Sequence, residues 1–245
     1  MVNATVDAGM PRTVFSAWDV FAETYHLYFK NFRTFVGLAV LMGFAFPIGT
    51  YFIYQSPPLM ELIMAGQLSV SSTLLWGMLI MVAGGAWWMF ALPALMWACA
   101  DMLDGRALTL QQSMAYITRE RVKELFSILN WVGMIVLLGL VFLVVPGILF
   151  GVRYAVCLQA YQFQGTRGLA ALQASRDLVK GRGFKVLGVL LLLLLSQILI
   201  GLGVRHALSL GISQAAWRET LGSLIDMFLT PLWFVGLTIL YRALK

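Results

Sequence analysis

The sequence predicts an all-α polytopic membrane protein: six transmembrane helices in three hairpins, each preceded by an amphipathic surface helix on the cytoplasmic side. Three observations predict it. Of 245 residues, 60% are hydrophobic and 11% charged, against about 25% charged in soluble domains. The apolar residues form runs, residues 186–200 among them, within segments of the ~20 residues that a helix needs to cross ~30 Å of hydrocarbon. These runs are continuous Leu, Val and Ile, not the short alternating segments of a membrane β-barrel.

Residues 1–11 are small, polar and aperiodic, and read as a loose tail. In residues 14–30, Val14, Trp18, Phe21, Tyr25, Tyr28 and Phe29 share one helical face, and Asp19, Glu23, His26 and Lys30 the other. An aromatic stripe opposite charges suits a helix lying in the membrane interface. The first crossing follows at 35–54, bent at Pro47. Residues 55–72 hold Pro57, Pro58 and Glu61 but no Lys or Arg, and are expected to loop on the outside. The second crossing, 73–100, is expected to break at Gly84-Gly85 and Pro93.

A second surface helix is placed at 108–126, with Leu110, Met114, Ile117 and Leu125 opposite Gln112, Arg119, Glu120 and Lys123. The third crossing, 128–145, meets a hairpin turn at Pro146 and Gly147 and returns as the fourth, 148–163, which contains Arg153. The third surface helix, 169–180, groups Ala171, Leu172, Ala174, Ser175, Leu178 and Val179 against Gln173, Arg176, Asp177 and Lys180. Its small apolar face favours close packing on other helices. The fifth crossing is 184–204. A polar loop with Arg205, His206, Arg218 and Glu219 precedes the sixth, 221–240, bent at Thr230-Pro231.

Leu110-Gln111-Gln112-Ser113 recurs as Leu172-Gln173-Ala174-Ser175, each followed by an apolar run. The simplest organisation is a single integral membrane domain, 1–245, of three surface-helix-plus-hairpin units, 1–104, 105–165 and 166–245. Six crossings put both termini and all three surface helices on one face. That face carries all of the 17 lysines and arginines except Arg153, Arg205 and Arg218. Basic residues concentrate on the cytoplasmic side, so the termini are expected there. The net charge of +6 therefore speaks for orientation and anionic headgroups rather than for nucleic acid.

No phosphate loop, dinucleotide fingerprint, HExxH or GxSxG motif occurs. Glu23-x-x-His26 with Asp19 is half of a carboxylate-bridged di-metal pattern, but the second Glu-x-x-His such a site needs is missing. It reads as a solvated face. Cys99 and Cys157 lie in apolar segments and read as small buried hydrophobes. No enzyme activity, metal or cofactor is expected.

Intramembrane polar residues are few: Arg153, Asp226, Gln159 and Gln197 lead them. Charges within a crossing are expensive and mark a pathway or a structural pair. Arg153 comes six residues after the Pro-Gly turn, ~9 Å along its helix, and Asp226 five residues after Leu221, ~7–8 Å along its own. Equal depth from the same side predicts that they pair. The basic face of Arg119, Lys123, Arg176, Lys180, Arg182 and Lys185 is expected to meet anionic lipid headgroups, or a membrane or cytoplasmic protein partner.

The order Val145-Pro146-Gly147-Ile148, Arg153, then Ala170-Ala171-Leu172-Gln173-Ala174-Ser175, Leu178 and Lys180-Gly181 resembles a broad prokaryotic group of six-helix membrane proteins. The closing Thr230-Pro231 and Leu240-Tyr241-Arg242 look like its last helix. The group includes the membrane domain fused to some glycerophosphodiester phosphodiesterases. The likeness covers most of the chain and implies a multi-pass protein of the bacterial inner membrane. The catalytic domain of the fused members has no counterpart in this sequence, so the resemblance implies no phosphodiesterase activity. The expected function is a non-catalytic scaffold or accessory module in membrane or envelope processes. The alternative is a small transporter or lipid-handling protein with a cavity between hairpins. A polar pocket at membrane depth holding Arg153, Asp226 or Gln197 would favour the alternative, and a solid apolar bundle the scaffold.

Overall fold

The computed structural model describes residues 16–56, 71–106 and 108–245. The expected tail 1–11, Val14 and most of the outside loop, with Pro57, Pro58 and Glu61, lie outside the described residues. Among the described residues the helices are α1 (Ala17–Lys30), α2 (Phe32–Gly43), α3 (Ala45–Gln55), α4 (Ser72–Leu103), α5 (Leu110–Met114), α6 (Arg119–Phe142), α7 (Val144–Arg153), α8 (Cys157–Gln164), α9 (Leu169–Val179), α10 (Gly183–Gly211) and α11 (Ala215–Leu244). Five stretches among the described residues are long and apolar enough to cross a membrane: α4, α6, α7 with α8, α10 and α11. A sixth arises if α2 and α3, bent by 49°, count as one broken span.

Local chemistry explains where these helices begin and break. Ser16 and Asp19 form a capping box at the start of α1, satisfying two backbone donors that a helix N-terminus leaves orphaned. Asp19 is thus committed to a cap. The first span breaks at Phe44, one turn before Pro47. A proline clashes with the carbonyl four residues back, here that of Gly43, so the bend falls upstream of the ring. The α6–α7 turn is likewise at Leu143, which is extended, and not at Pro146-Gly147. Those two residues sit in the first turn of α7, where a proline needs no partner for its absent N–H.

Other expected boundaries shift too. α4 runs unbroken through Gly84, Gly85 and Pro93. Gly84 is instead a contact point: a Cβ there would stand 2.6 Å from Ala45 Cβ, so α3 and α4 touch backbone to backbone as small residues allow. The 108–126 surface helix divides into the short α5 and, past Thr118, the first turns of α6. α10 continues to Gly211, and α11 begins at Ala215. Arg205, His206, Arg218 and Glu219 are therefore helical residues, not loop residues.

α11 is the hub of the bundle. Apart from half-buried Trp233, every residue from Pro231 to Tyr241 is buried, and α11 packs on α1, α2, α3, α4, α8 and α10. α1 reaches it with Val20, Thr24, Leu27 and Tyr28, its buried positions. The rings of Trp18, Phe21, Tyr25 and Phe29 contact one another in sequence along the helix; Phe21 and Tyr25 pack at the edge of the core, and Trp18 and Phe29 are more than half exposed. α6 and α7 pair at the periphery. A Cβ on Gly139 would lie 2.9 Å from Gly147 Cα, so their backbones nearly touch.

One end of the bundle is bound together by side chains. Arg242 reaches Asp104 at 2.5 Å and the Ala100 carbonyl at 3.3 Å. Arg182 donates to the Leu244 carbonyl at 2.9 Å, placing a cation at the negative end of the α11 dipole. Gln164 donates to the Tyr241 hydroxyl and Thr34 to the Leu108 carbonyl. Arg121 lies 4.5 Å over the Trp97 ring. The Tyr116 hydroxyl donates to Asp101, and that hydrogen bond holds the phenol above its ordinary pKa.

Candidate functional site

At the other end, charge gathers where α10 and α11 meet. Arg205 places its guanidinium on Asp226, with Nη1 3.5 Å from Oδ1 and Nη2 bonded to Oδ2. Its Nε lies 3.5 Å from Glu219, which also accepts from Arg218 at 3.4 Å. Two glycines make room. A Cβ on Gly222 would stand 3.0 Å from Arg205 Nε, and one on Gly201 would stand 3.0 Å from Nη1 and 3.3 Å from Asp226 Oδ1. An unpaired charge near a helix centre costs ~2.5–3.5 kcal/mol on insertion scales, so mutual contact removes a cost that either partner would carry alone.

Asp226 therefore pairs with Arg205, and the expected pair with Arg153 does not form. Arg153 ends α7, stands exposed and lines a cleft that includes Leu187 near the start of α10. Asp226 faces Gly201 and Arg205 near the end of that helix. At 1.5 Å per residue these stations are roughly 21–27 Å apart along α10. The fifth helix does not end at 204 but runs on to Gly211, so Arg205 is carried on it to the depth of Asp226. The signal that could have retained it is the apolar Ala207, Leu208 and Leu210 beyond it.

Beside the ion pair, α11 is prepared for a proline. Pro231 offers no N–H to the Met227 carbonyl four residues back, and side chains bond the carbonyls on either side of it. Thr230 Oγ1 donates to the Asp226 carbonyl at 3.0 Å, Tyr28 Oη to Phe228 at 2.7 Å and Gln197 Nε2 to Leu229 at 3.3 Å. A threonine bonding four residues back and neighbouring polar side chains are how spanning helices tolerate proline. Gln197, expected at membrane depth, is thus engaged with α11. It borders a groove of about 400 Å³ with Gly201, Arg205, Asp226 and Thr230. A second cavity of about 420 Å³ reaches Asp226 from the α2–α3–α4 side, past Met42, Trp88 and Thr230.

The remaining expected residues lie elsewhere. Arg119 and Lys123 are exposed on the first turns of α6, and Arg176 and Lys180 are exposed on and just after α9. Arg182 caps α11, and Lys185 is exposed in the first turn of α10. Gln159 is fully buried, and neither of its amide atoms has a partner among the described residues. Cys99 and Cys157 are free and buried.

By length and composition, an all-helical chain with five or six such spans belongs to the class of multi-pass helical membrane proteins. Within that class the chain has no match among protein-family models, curated proteins or solved structures.

Proposed function

We propose that the protein is a non-catalytic scaffold or accessory module of the bacterial inner membrane, binding anionic lipid or a protein partner on its cytoplasmic face. It crosses six times in three hairpins, α2–α3 counting as one crossing, with α1, α5 and α9 as the cytoplasmic surface helices. The resemblance to the membrane domain fused to some glycerophosphodiester phosphodiesterases belongs to the same reading.

The observation that carries it is an asymmetry of charge. Arg205, Arg218, Glu219 and Asp226 at one end neutralise one another. At the other end Arg119, Lys123, Arg176 and Lys180 are exposed, and none has an ion pair among the described residues. Uncompensated basic surface beside a membrane draws anionic headgroups, at about 1 kcal/mol per Lys or Arg.

The test is purification in a mild detergent with mass spectrometry of the co-purified lipid, beside flux assays in proteoliposomes. Enrichment of anionic over zwitterionic lipid and no flux above empty vesicles are expected. Flux abolished by Asp226→Asn would overturn the reading in favour of the second one, a small transporter or lipid-handling protein. That alternative draws on the groove of about 400 Å³ holding Gln197, Arg205 and Asp226, a polar pocket of the kind that favours it; the scaffold is preferred because the two charges there are already paired with each other.

A further inference from the structure

We propose that the cleft between α7, α9 and α10 is a binding site for one anionic phospholipid, with Arg153 as its phosphate anchor. The proposal rests on reading the basic end as the membrane–cytoplasm boundary, and it names the residues that do the binding there.

The cleft measures about 550 Å³, within the ~300–1,000 Å³ of small-ligand sites. One side is cationic. Arg153, Arg176 and Lys180 face it with a single carboxylate, Asp177. All four are exposed, and none of the three cations has an ion pair or a side-chain hydrogen bond among the described residues. This sets the cleft apart from the α10–α11 cluster, where each cation already has a carboxylate. Three cations against one carboxylate leave the site short of negative charge, and a phosphodiester supplies it. Arginine presents a planar fork to two phosphate oxygens, and lysine adds a point charge.

Arg153 is held in place from behind. The chain leaves helical geometry at residues 154–156, freeing carbonyls at the end of α7. The buried hydroxyl of Ser175 on α9 donates to the Arg153 carbonyl at 2.9 Å. That bond fixes the backbone of Arg153 against α9 while its side chain stays in the cleft. The lip is built from glycine: Gly181, at φ +78°, and Gly183 border the mouth, and a Cβ on either would meet nothing within 4 Å.

The other side is apolar and continues onto the outer surface. Ile148 and Leu149 are about half exposed and Phe184 is 93% exposed, with Leu187 beneath them. A water-soluble anion has no use for such a wall. An acyl chain does, and it would run from the cleft along the exposed Val144 and Val145 of α7. Charge on one side and an open hydrocarbon path on the other match one ligand class, the phospholipid.

The test is native mass spectrometry of the full chain in detergent, titrated with phosphatidylglycerol and, separately, phosphatidylcholine. One phosphatidylglycerol per chain should be retained in preference to phosphatidylcholine. Arg153→Gln, and separately Arg176→Gln with Lys180→Gln, should each weaken that binding at least about tenfold, as expected for a lost charge-assisted hydrogen bond. Arg153→Lys should restore part of it. Arg106→Gln, an exposed cation outside the cleft lining and already paired with Asp101, should leave it unchanged. Should Arg153→Gln fail to fold, Arg153→Lys and the Arg176/Lys180 double variant carry the measurement. Equal retention in the cleft variants would overturn the site, as would equal losses in the Arg106 control, although the lipid-binding scaffold would then still stand. Displacement by inorganic phosphate with no preference between lipids would overturn the lipid assignment. Flux in proteoliposomes would remove the scaffold reading and leave the cleft intact.

Discussion

Arg205 occupies its position because neighbouring residues are small and acidic together. Gly222 admits its stem, Gly201 its guanidinium, and Asp226 and Glu219 its charge. Removing one partner strands the other, which costs more than removing both. Asp226→Ala should therefore lower thermal stability in detergent more than the double variant with Arg205→Leu. The expected coupling is about 0.5–3 kcal/mol. Arg153→Leu should combine additively with Asp226→Ala, to within ~0.5 kcal/mol, as distant sites do. Coupling of Asp226 to Arg153 instead of Arg205 in this cycle would refute the observed pairing.

Among the elements, the α6–α7 hairpin shows how closely two spanning helices can approach. A Cβ on Gly147 would lie 2.5 Å from Leu140 Cγ and 2.8 Å from the Leu140 backbone nitrogen. Backbone cannot rotate aside as a side-chain tip can, so Gly147→Ala should splay the hairpin and cost about 1–3 kcal/mol. Gly151 lies one turn further along α7, and a Cβ there would meet nothing within 4 Å. Gly151→Ala should be neutral or stabilising, by up to about 1 kcal/mol, because glycine is the worse helix former. Chemical or thermal melts of the two variants decide the matter, and equal effects would mean that α6 and α7 do not cross at Gly147. The pattern of α9 was readable in advance, since a helix with small residues on one side and charges on the other must bury the small side. Its buried residues are Ala171, Leu172, Ser175 and Val179. α1 packs through positions that its aromatic stripe, Tyr28 apart, does not mark. The face that packs is set by the slimmer Val20, Thr24 and Leu27, which fit beside Gly236 and Gly188, where Thr24 and Ala17 make contact.

For the molecule as a whole, orientation is the property most open to direct measurement. Cys99 and Cys157 are buried, so single cysteines introduced at the surface should label above a low background. With the basic end in the cytoplasm, Glu120→Cys should react only after a membrane-permeant reagent or in inverted vesicles. Ser213→Cys, in the α10–α11 turn, should react with impermeant reagent added to spheroplasts. The reverse pattern would invert the protein, and with it the placement of the proposed lipid cleft.

The sequence by itself determined the helical class, the approximate location of the apolar spans, and the concentration of basic residues near one set of helix ends. Hydropathy and composition act residue by residue, and a bilayer demands internally bonded backbone whatever the neighbours are. It also picked out Asp226, Gln197 and Arg153 as residues out of keeping with their surroundings. Only the tertiary structure decided what each of them meets. Asp226 found Arg205 because α10 runs on to Gly211 and lies beside α11, and Gln197 found the Leu229 carbonyl of α11. Arg153 faces a cleft closed by α9, whose Ser175 bonds its carbonyl. Partner choice depends on which helices abut and where they stop. Those are set by long-range packing of small residues such as Gly84 on Ala45 and Gly222 on Arg205, which leave no trace in a local pattern.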